Sequence, residues 1–229
     1  MICSVFKGTV IFVSVMRTKI DFQSWKRKSY YQHFSQMDDP FYGVVFHLDV
    51  RKAYDFAREN AIPFFLFYHY QSLQAMKLLP EFHYRLVEGS VYSYDVLNVC
   101  TTMLRDDETF AFLFIPCGDS FDQFIRDAEV GMQKVRLCSG INATEDSARP
   151  DLIHFSTVPW ISFTDLSHAH RLNPGFGIPR ITFGKFFEDR GKLLMPVSVH
   201  VHHGFVDGLH LGRFASDFQE RLIHPELTS

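Results

Sequence analysis

The chain has 229 residues, 46% of them apolar and 21% charged, with a net charge of −3. That length is one large domain with enough chain to bury a core, and the composition excludes a disordered protein. The slight negative balance excludes a basic nucleic-acid surface.

In chain order, residues 1–19 carry one early lysine, Lys7, and an apolar run from Val10 to Met16. The run is too short to span a membrane, and it lacks the longer apolar region and cleavage site of a secretory leader. It reads as a strand or as an extension, residues 1–19, ahead of a single domain over 20–229. "VRKAYDFAREN" (50–60) places Ala53, Phe56 and Ala57 at helical spacing. Pro63 suits the first turn of the next helix, "FFLFYHYQSLQAMKLL" (64–79), which is apolar nearly all round and is therefore expected to be buried. "RLVEG" followed by "SVYSYDVLNVCTTM" reads as strand, turn, strand. "TFAFLFIPC" (109–117) is a strand with an aromatic face. "DSFDQFIRDAEVGMQKVR" opens on a capping Asp or Ser and sets Phe121, Phe124, Ile125, Ala128, Met132 and Val135 on one helical face. "DLIHFSTVPWISFTDL", "RITFGKFF" and "LLMPVSVHVHH" are further strands. "GLHLGRFASDFQERLI" is a closing helix, with Leu211, Phe214, Phe218 and Leu222 on one side. This mixture predicts an α/β fold, a two-layer sandwich in which helices cover a mixed β-sheet. The 25 phenylalanines predict aromatic packing and an aromatic pocket. Cys3, Cys100, Cys117 and Cys138 form no CxxC pair and read as the reduced thiols of a cytoplasmic protein.

The chemistry concentrates in "LLMPVSVHVHHGFVDGLHLGRF" (193–214). On a strand, His200 and His202 share one face and His203 takes the other. A metal site needs three or four converging ligands, and no acid or cysteine stands at a matching spacing, so no metal is expected. His200 and His202 read as structural histidines. His203 falls at the strand end before Gly204, where a rigid scaffold presents a reactive side chain. Asp207, four residues on, fits an acid that braces it, and Gly208 offers backbone freedom.

"VHHGFVDGLHLGRF" resembles the His-His-x-x-x-Asp-Gly signature of the chloramphenicol acetyltransferase family, which is shared with the catalytic domains of dihydrolipoyl acyltransferases. "DFQSWKRKSYYQHF" resembles the family's N-terminal segment, with Trp25 and Arg27 at its Trp and buried Arg. "FSTVPWISF" resembles the segment carrying its serine, here Ser156, followed by Pro159 and Trp160. "PRITFGKF" resembles the strand carrying Thr182 and Lys185, and "ETFAFLFIPCGDSFDQF" resembles the central strand and helix. The resemblance implies a homotrimer with active sites at subunit boundaries and acetyl-CoA as co-substrate. It implies His203 as general base on an acceptor hydroxyl, Ser156 as oxyanion donor and Thr182 as its helper through a water. Asp207 paired with Arg27 would support the turn, and Lys185 with Trp160 would meet the coenzyme. Read without it, Ser156 and Thr182 are ordinary strand residues, and Lys185 and Arg27 are solvated cations.

The pattern departs from the family on the acceptor side. Phe34, Tyr42, Thr101, Phe110 and Phe112 keep an aromatic wall, but Asp38, His168 and His170 bring polar groups where apolar ones are expected. The chain is also shortened near Ala61–Pro63, where the family has a coenzyme-side lysine. The expected activity is O-acetyl transfer from acetyl-CoA to a small hydroxylated acceptor, either chloramphenicol or a more polar compound. No nucleic acid or membrane partner is expected, and antibiotic resistance is the role that chloramphenicol as acceptor would imply. A dehydrogenase-complex core is disfavoured for want of a lipoyl domain. A non-catalytic trimer is disfavoured because the reactive residues are all retained.

Overall fold

The computed structural model describes residues 16–141, 149–169 and 175–228. The calls on His170, on Cys3 and on the Val10–Met16 run up to residue 15 lie outside them.

The main sheet runs in the order β2-β10-β8-β7-β5-β6, with β9 paired to the start of β10. These strands are β2 (Phe41–Asp49), β5 (Asn98–Leu104), β6 (Phe110–Ile115), β7 (Leu152–Val158), β8 (Arg180–Gly184), β9 (Phe187–Asp189) and β10 (Lys192–His202). Pairs β5/β7 and β7/β8 are parallel and the others antiparallel, so the sheet is mixed as expected. A small antiparallel sheet, β1-β4-β3, lies apart from it, built from β1 (Arg17–Lys19), β3 (Tyr84–Val87) and β4 (Ser90–Tyr94). The stretch 90–103, read as one strand, is therefore two strands in two sheets. Asn98 makes the break. Its amide donates to Asp151 at 2.7 Å and its carbonyl oxygen accepts from the Cys117 backbone at 2.9 Å, which fixes the start of β5 in the main sheet.

Strand alternation sorts the main sheet into two faces. Val197, Val199 and Val201 of β10, Ile181 and Phe183 of β8, and Ile153 and Phe155 of β7 are buried on one of them. Helices α2 (Arg51–Glu59), α3 (Phe64–Lys77), α4 (Phe121–Leu137) and α5 (Gly208–Ile223) complete that core. Ten of the fourteen residues of α3 are buried, as its all-round apolar pattern requires. Pro63 stands immediately before α3, not within it. Ser120 caps α4 by accepting from the Gln123 amide. Leu211, Phe214, Phe218 and Leu222 form the buried side of α5 as expected. A short α1 (Lys28–Phe34), too brief to carry a periodic signal, packs Tyr31 against Phe205 with rings 5.6 Å apart.

The opposite face carries two rows of aligned side chains. Thr102, Ser156, Thr182, Ser198 and Val45 form one row, and Cys100, His154, Arg180, His200 and Gly43 form the next. The segment after β7 passes over this face. It brings Phe163 against Gly184, where a β-carbon would sit 2.8 Å from the ring, and His168 onto Thr182.

Candidate active site

The turn after β10 is built around one guanidinium. Arg27, 8% exposed, donates to the carbonyls of Gly204 (3.0 Å) and His203 (3.2 Å) and to the Asp207 carboxylate (2.9 Å). Asp207 in turn caps α5. Its second oxygen accepts from the Leu209 amide, while His210 accepts back from the Asp207 amide, both at 3.1 Å. Burial alone would raise the Asp207 pKa, but the Arg27 hydrogen bond and the nearby positive charge draw it below its usual value. The acid thus fixes the turn and not the imidazole. Gly208 begins α5 without a left-handed backbone. The glycine that the turn requires is Gly204, because a β-carbon there would lie 2.9 Å from both the Tyr31 backbone and the His202 ring.

The two adjacent histidines separate by environment. His202 is 1% exposed, stacked on Phe205 at 4.5 Å, and its Nδ1 accepts from the Gly204 amide. Burial pulls its pKa down to about 4, so it is a neutral structural residue. His203 lies between the rings of Phe34 (3.8 Å) and Tyr42 (4.2 Å) and remains partly exposed. Burial, assisted by the Asp207 charge, pushes the Tyr42 pKa up to about 12, so the phenol keeps its proton. The His203 ring is thus held by two aromatic faces and by a backbone that Arg27 anchors.

A double-mutant cycle tests that anchoring. Asp207→Asn and Arg27→Val are each expected to cost roughly 1–3 kcal/mol, less than for a fully buried pair because the Asp207 side chain is 32% exposed, and to slow turnover. The double variant is expected to cost clearly less than the two single losses combined. Urea unfolding reads the cycle, and additive losses would show that the pair does not act as one interaction.

Ser156 and Thr182 are directly paired on β7 and β8. The Ser156 hydroxyl is 3.5 Å from that of Thr102, and the Thr182 hydroxyl is 2.8 Å from His168 Nε2. Thr101, expected in the acceptor wall, points the other way. It is 2% exposed on the helix side, with its hydroxyl 3.0 Å from His69 Nε2, because neighbouring strand residues alternate between faces. Thr102 takes the place beside Ser156. Phe112 is opposite Thr102 in register, and Phe110 lies two residues away on the same face. Asp38 is exposed on the loop before β2.

A cleft of about 660 Å³ opens beside Ser156, walled by Tyr54, Phe64, Tyr68, Trp160 and Phe186. Trp160 is 65% exposed at its rim. Lys185, also exposed, follows β8, with its backbone N–H bonded to the Ile161 carbonyl. Among the cleft aromatics, Tyr54, Phe64, Tyr68 and Phe186 escaped sequence reasoning, and the high aromatic content was the one signal for them. A larger hollow of about 1080 Å³ lies between α2 and the start of α4, next to Asp119, Asp122 and Glu226, away from all these groups.

Ser156 and His203 do not meet within one chain. Ser156 is level with Ser198, two strands away, and His203 lies five residues beyond Ser198. At about 3.3 Å per residue and 4.8 Å per strand, that is a separation on the order of 15–20 Å. They also occupy opposite sides of the sheet, since His203 continues the side of Val201 and Tyr42. Phe34 and Tyr42 therefore accompany His203, while Phe110, Phe112 and His168 accompany the hydroxyls of Ser156 and Thr182.

Solved acyltransferases share this architecture. A probable dihydrolipoamide acetyltransferase from Listeria monocytogenes superposes with a TM-score of 0.60 at 13% identity, over 85% of this chain and 88% of that one, which shows the common fold. A solved chloramphenicol acetyltransferase superposes with a TM-score of 0.84 at 27% identity, covering 90% of this chain and all of that one. The protein is an acyltransferase. The family model for chloramphenicol acetyltransferase matches residues 15–219, and the chain belongs to that family. Chloramphenicol acetyltransferases of Escherichia coli (29% identity over 208 residues, 89% of this chain and 92% of that one) and Bacillus pumilus (24% over 203 residues, 88% and 92%) are among its relatives. Among the described residues, no helix is long and apolar enough to cross a membrane.

Proposed function

We propose that the protein transfers the acetyl group of acetyl-CoA to a hydroxyl of a small acceptor, in a trimer in which His203 of one copy meets Ser156 and Thr182 of the next. The observation that carries this reading is the division of one family's reactive residues between opposite sides and distant ends of a single sheet. A second copy supplies what the first lacks. His203 takes the proton from the acceptor hydroxyl as its oxygen bonds to the thioester carbon. The Ser156 hydroxyl donates to the oxyanion, and collapse expels the coenzyme sulfur, which receives the proton from His203. The Thr182 hydroxyl assists Ser156 from the neighbouring strand. The cleft walled by Tyr54, Phe64, Trp160 and Phe186 suits the long arm and ring of the coenzyme, and Lys185 supplies charge for its phosphates.

Chloramphenicol is expected to be a poor acceptor, and a more polar hydroxylated compound a better one. His168 occupies the Thr182 hydroxyl at 2.8 Å, and a nitrobenzyl group would leave polar atoms desolvated at about 1–3 kcal/mol each. Thiol release from acetyl-CoA over a panel of hydroxylated acceptors, with the mass of the native particle, tests the reading. Acceptor-dependent release from a three-chain particle is expected, with chloramphenicol well below about 10⁵ M⁻¹s⁻¹ in kcat/KM, a value within the usual range of good enzymes. His168→Leu is expected to improve chloramphenicol. Efficiency above that level in the unaltered enzyme would remove the polar-acceptor reading, and a catalytically competent single chain would remove the shared site.

A further inference from the structure

We propose that the acceptor carries an anionic group, a carboxylate or a phosphate, which the Arg180 guanidinium binds beside the reacting hydroxyl. The proposal rests on the transferase reading above and deepens it.

The row next to Ser156 and Thr182 is basic. His154, Arg180 and His200 stand side by side on β7, β8 and β10, each two residues along its strand from the hydroxyl row and on the same face. Two strand residues span about 6.6 Å, so a ligand of modest size reaches both rows. The neighbouring β2 makes room for this row. At Gly43 a β-carbon would stand 2.4 Å from His200 Nε2. His168 joins the rows, bonded to Thr182 and with its ring 4.9 Å from that of His200.

Arg180 is the fixed charge in this set. Its guanidinium rests on the Phe41 ring at 4.3 Å and is half-buried, and it forms no ion pair among the described residues. Burial lowers its pKa, and Asp39 is the acid whose field opposes that. Asp165 lines an adjoining hollow together with His200. His154 next to it has a buried Nε2 with no partner among the described residues. Its pKa is pulled down to about 4, first by burial and then by Arg180, so the ring is neutral. A neutral imidazole nitrogen and a guanidinium fork pointing from one face match a planar or tetrahedral anion. A partly desolvated cation is costly until it is paired, and an uncharged acceptor packed over it leaves it unpaired. The arrangement therefore selects by penalty against neutral acceptors as well as by attraction.

Matched acceptor pairs test this in the intact enzyme with coenzyme A bound: 4-(hydroxymethyl)benzoate against 4-(hydroxymethyl)benzamide, and glycerol 3-phosphate against glycerol. Calorimetry is expected to give the anion of at least one pair a tenfold to hundredfold tighter Kd, the range of one charge-assisted contact, and the pair concerned identifies the anion. Arg180→Met is expected to bring that ratio close to one, and Arg180→Lys to retain part of it. Native mass and melting temperature check that each variant still folds and assembles. If Arg180→Met does not, Arg180→Gln makes the same comparison. Ratios near one in the unaltered enzyme, no binding of any of the four compounds, or a preference that survives the loss of the guanidinium would each overturn the proposal. Charge-selective binding without thiol release from any acceptor would instead count against acetyl transfer.

Discussion

His203→Ala is expected to lower acetyl transfer by about 10³-fold or more, the upper part of the range for a lost general base. The ring sits between Phe34 and Tyr42 at 3.8 and 4.2 Å. His202, one residue earlier, is turned into the core and stacked on Phe205. His210 is engaged with Asp207 and Glu81. The turn is held through the backbone carbonyls of residues 203 and 204, so removing the ring leaves the Arg27 contacts in place. Assembly is therefore expected to persist, which sedimentation can verify. His202→Ala supplies the contrast. Emptying a buried aromatic stack costs about 3–5 kcal/mol, so that variant should melt early and lose less turnover than His203→Ala per folded molecule. Retention of a tenth of normal turnover by His203→Ala would mean that the base lies elsewhere.

The second large effect falls on Ser156. Its hydroxyl stands in the row with Thr102 and Thr182, on a strand paired on both sides, so its position is fixed before any substrate arrives. A donor fixed in advance acts mainly when negative charge develops, and losing one typically costs 10²–10³-fold in turnover, about 2.7–4 kcal/mol. Ser156→Ala is thus expected to reduce kcat by that factor with little change in the affinity for acetyl-CoA. Steady-state kinetics with coenzyme binding measured separately distinguishes the roles. A weakened coenzyme complex with unchanged kcat would make Ser156 a binding residue. Thr182→Val, by contrast, removes both a hydroxyl beside Ser156 and the partner of His168.

Periodicity and cap chemistry, which are local, made most of the elements readable. The apolar stripes of α4 and α5 predict their packed faces, with Phe121, Ile125 and Met132 of α4 only partly buried, because a helical face is set within a few turns of chain. The all-round apolar α3 likewise announced its burial. The strand end at His202 and the motif around it were equally legible, as was the likeness of residues 20–229 to a known family. Thr101 shows the limit. Sequence placed a threonine near the acceptor, but a one-residue difference in strand phase decides which face it takes, and pairing with β7 and β6 sets that phase. The division of 90–103 between two sheets was hidden for a similar reason, since Asn98 finds its partners at Asp151 and Cys117, far along the chain.

By itself the sequence determined the fold class and the acyltransferase family, and it offered the candidate base, serine and supporting ion pair, since each is carried by a residue type within a short motif. Only the tertiary structure decided how these groups are distributed. Register across β7, β8 and β10 aligned Ser156 with Thr182 and set His154, Arg180 and His200 beside them, although up to 46 residues separate these positions in the chain. It also put His203 on the far side of the sheet. Hydrogen bonding between strands fixes lateral order and face at once, and neither is encoded in any single strand.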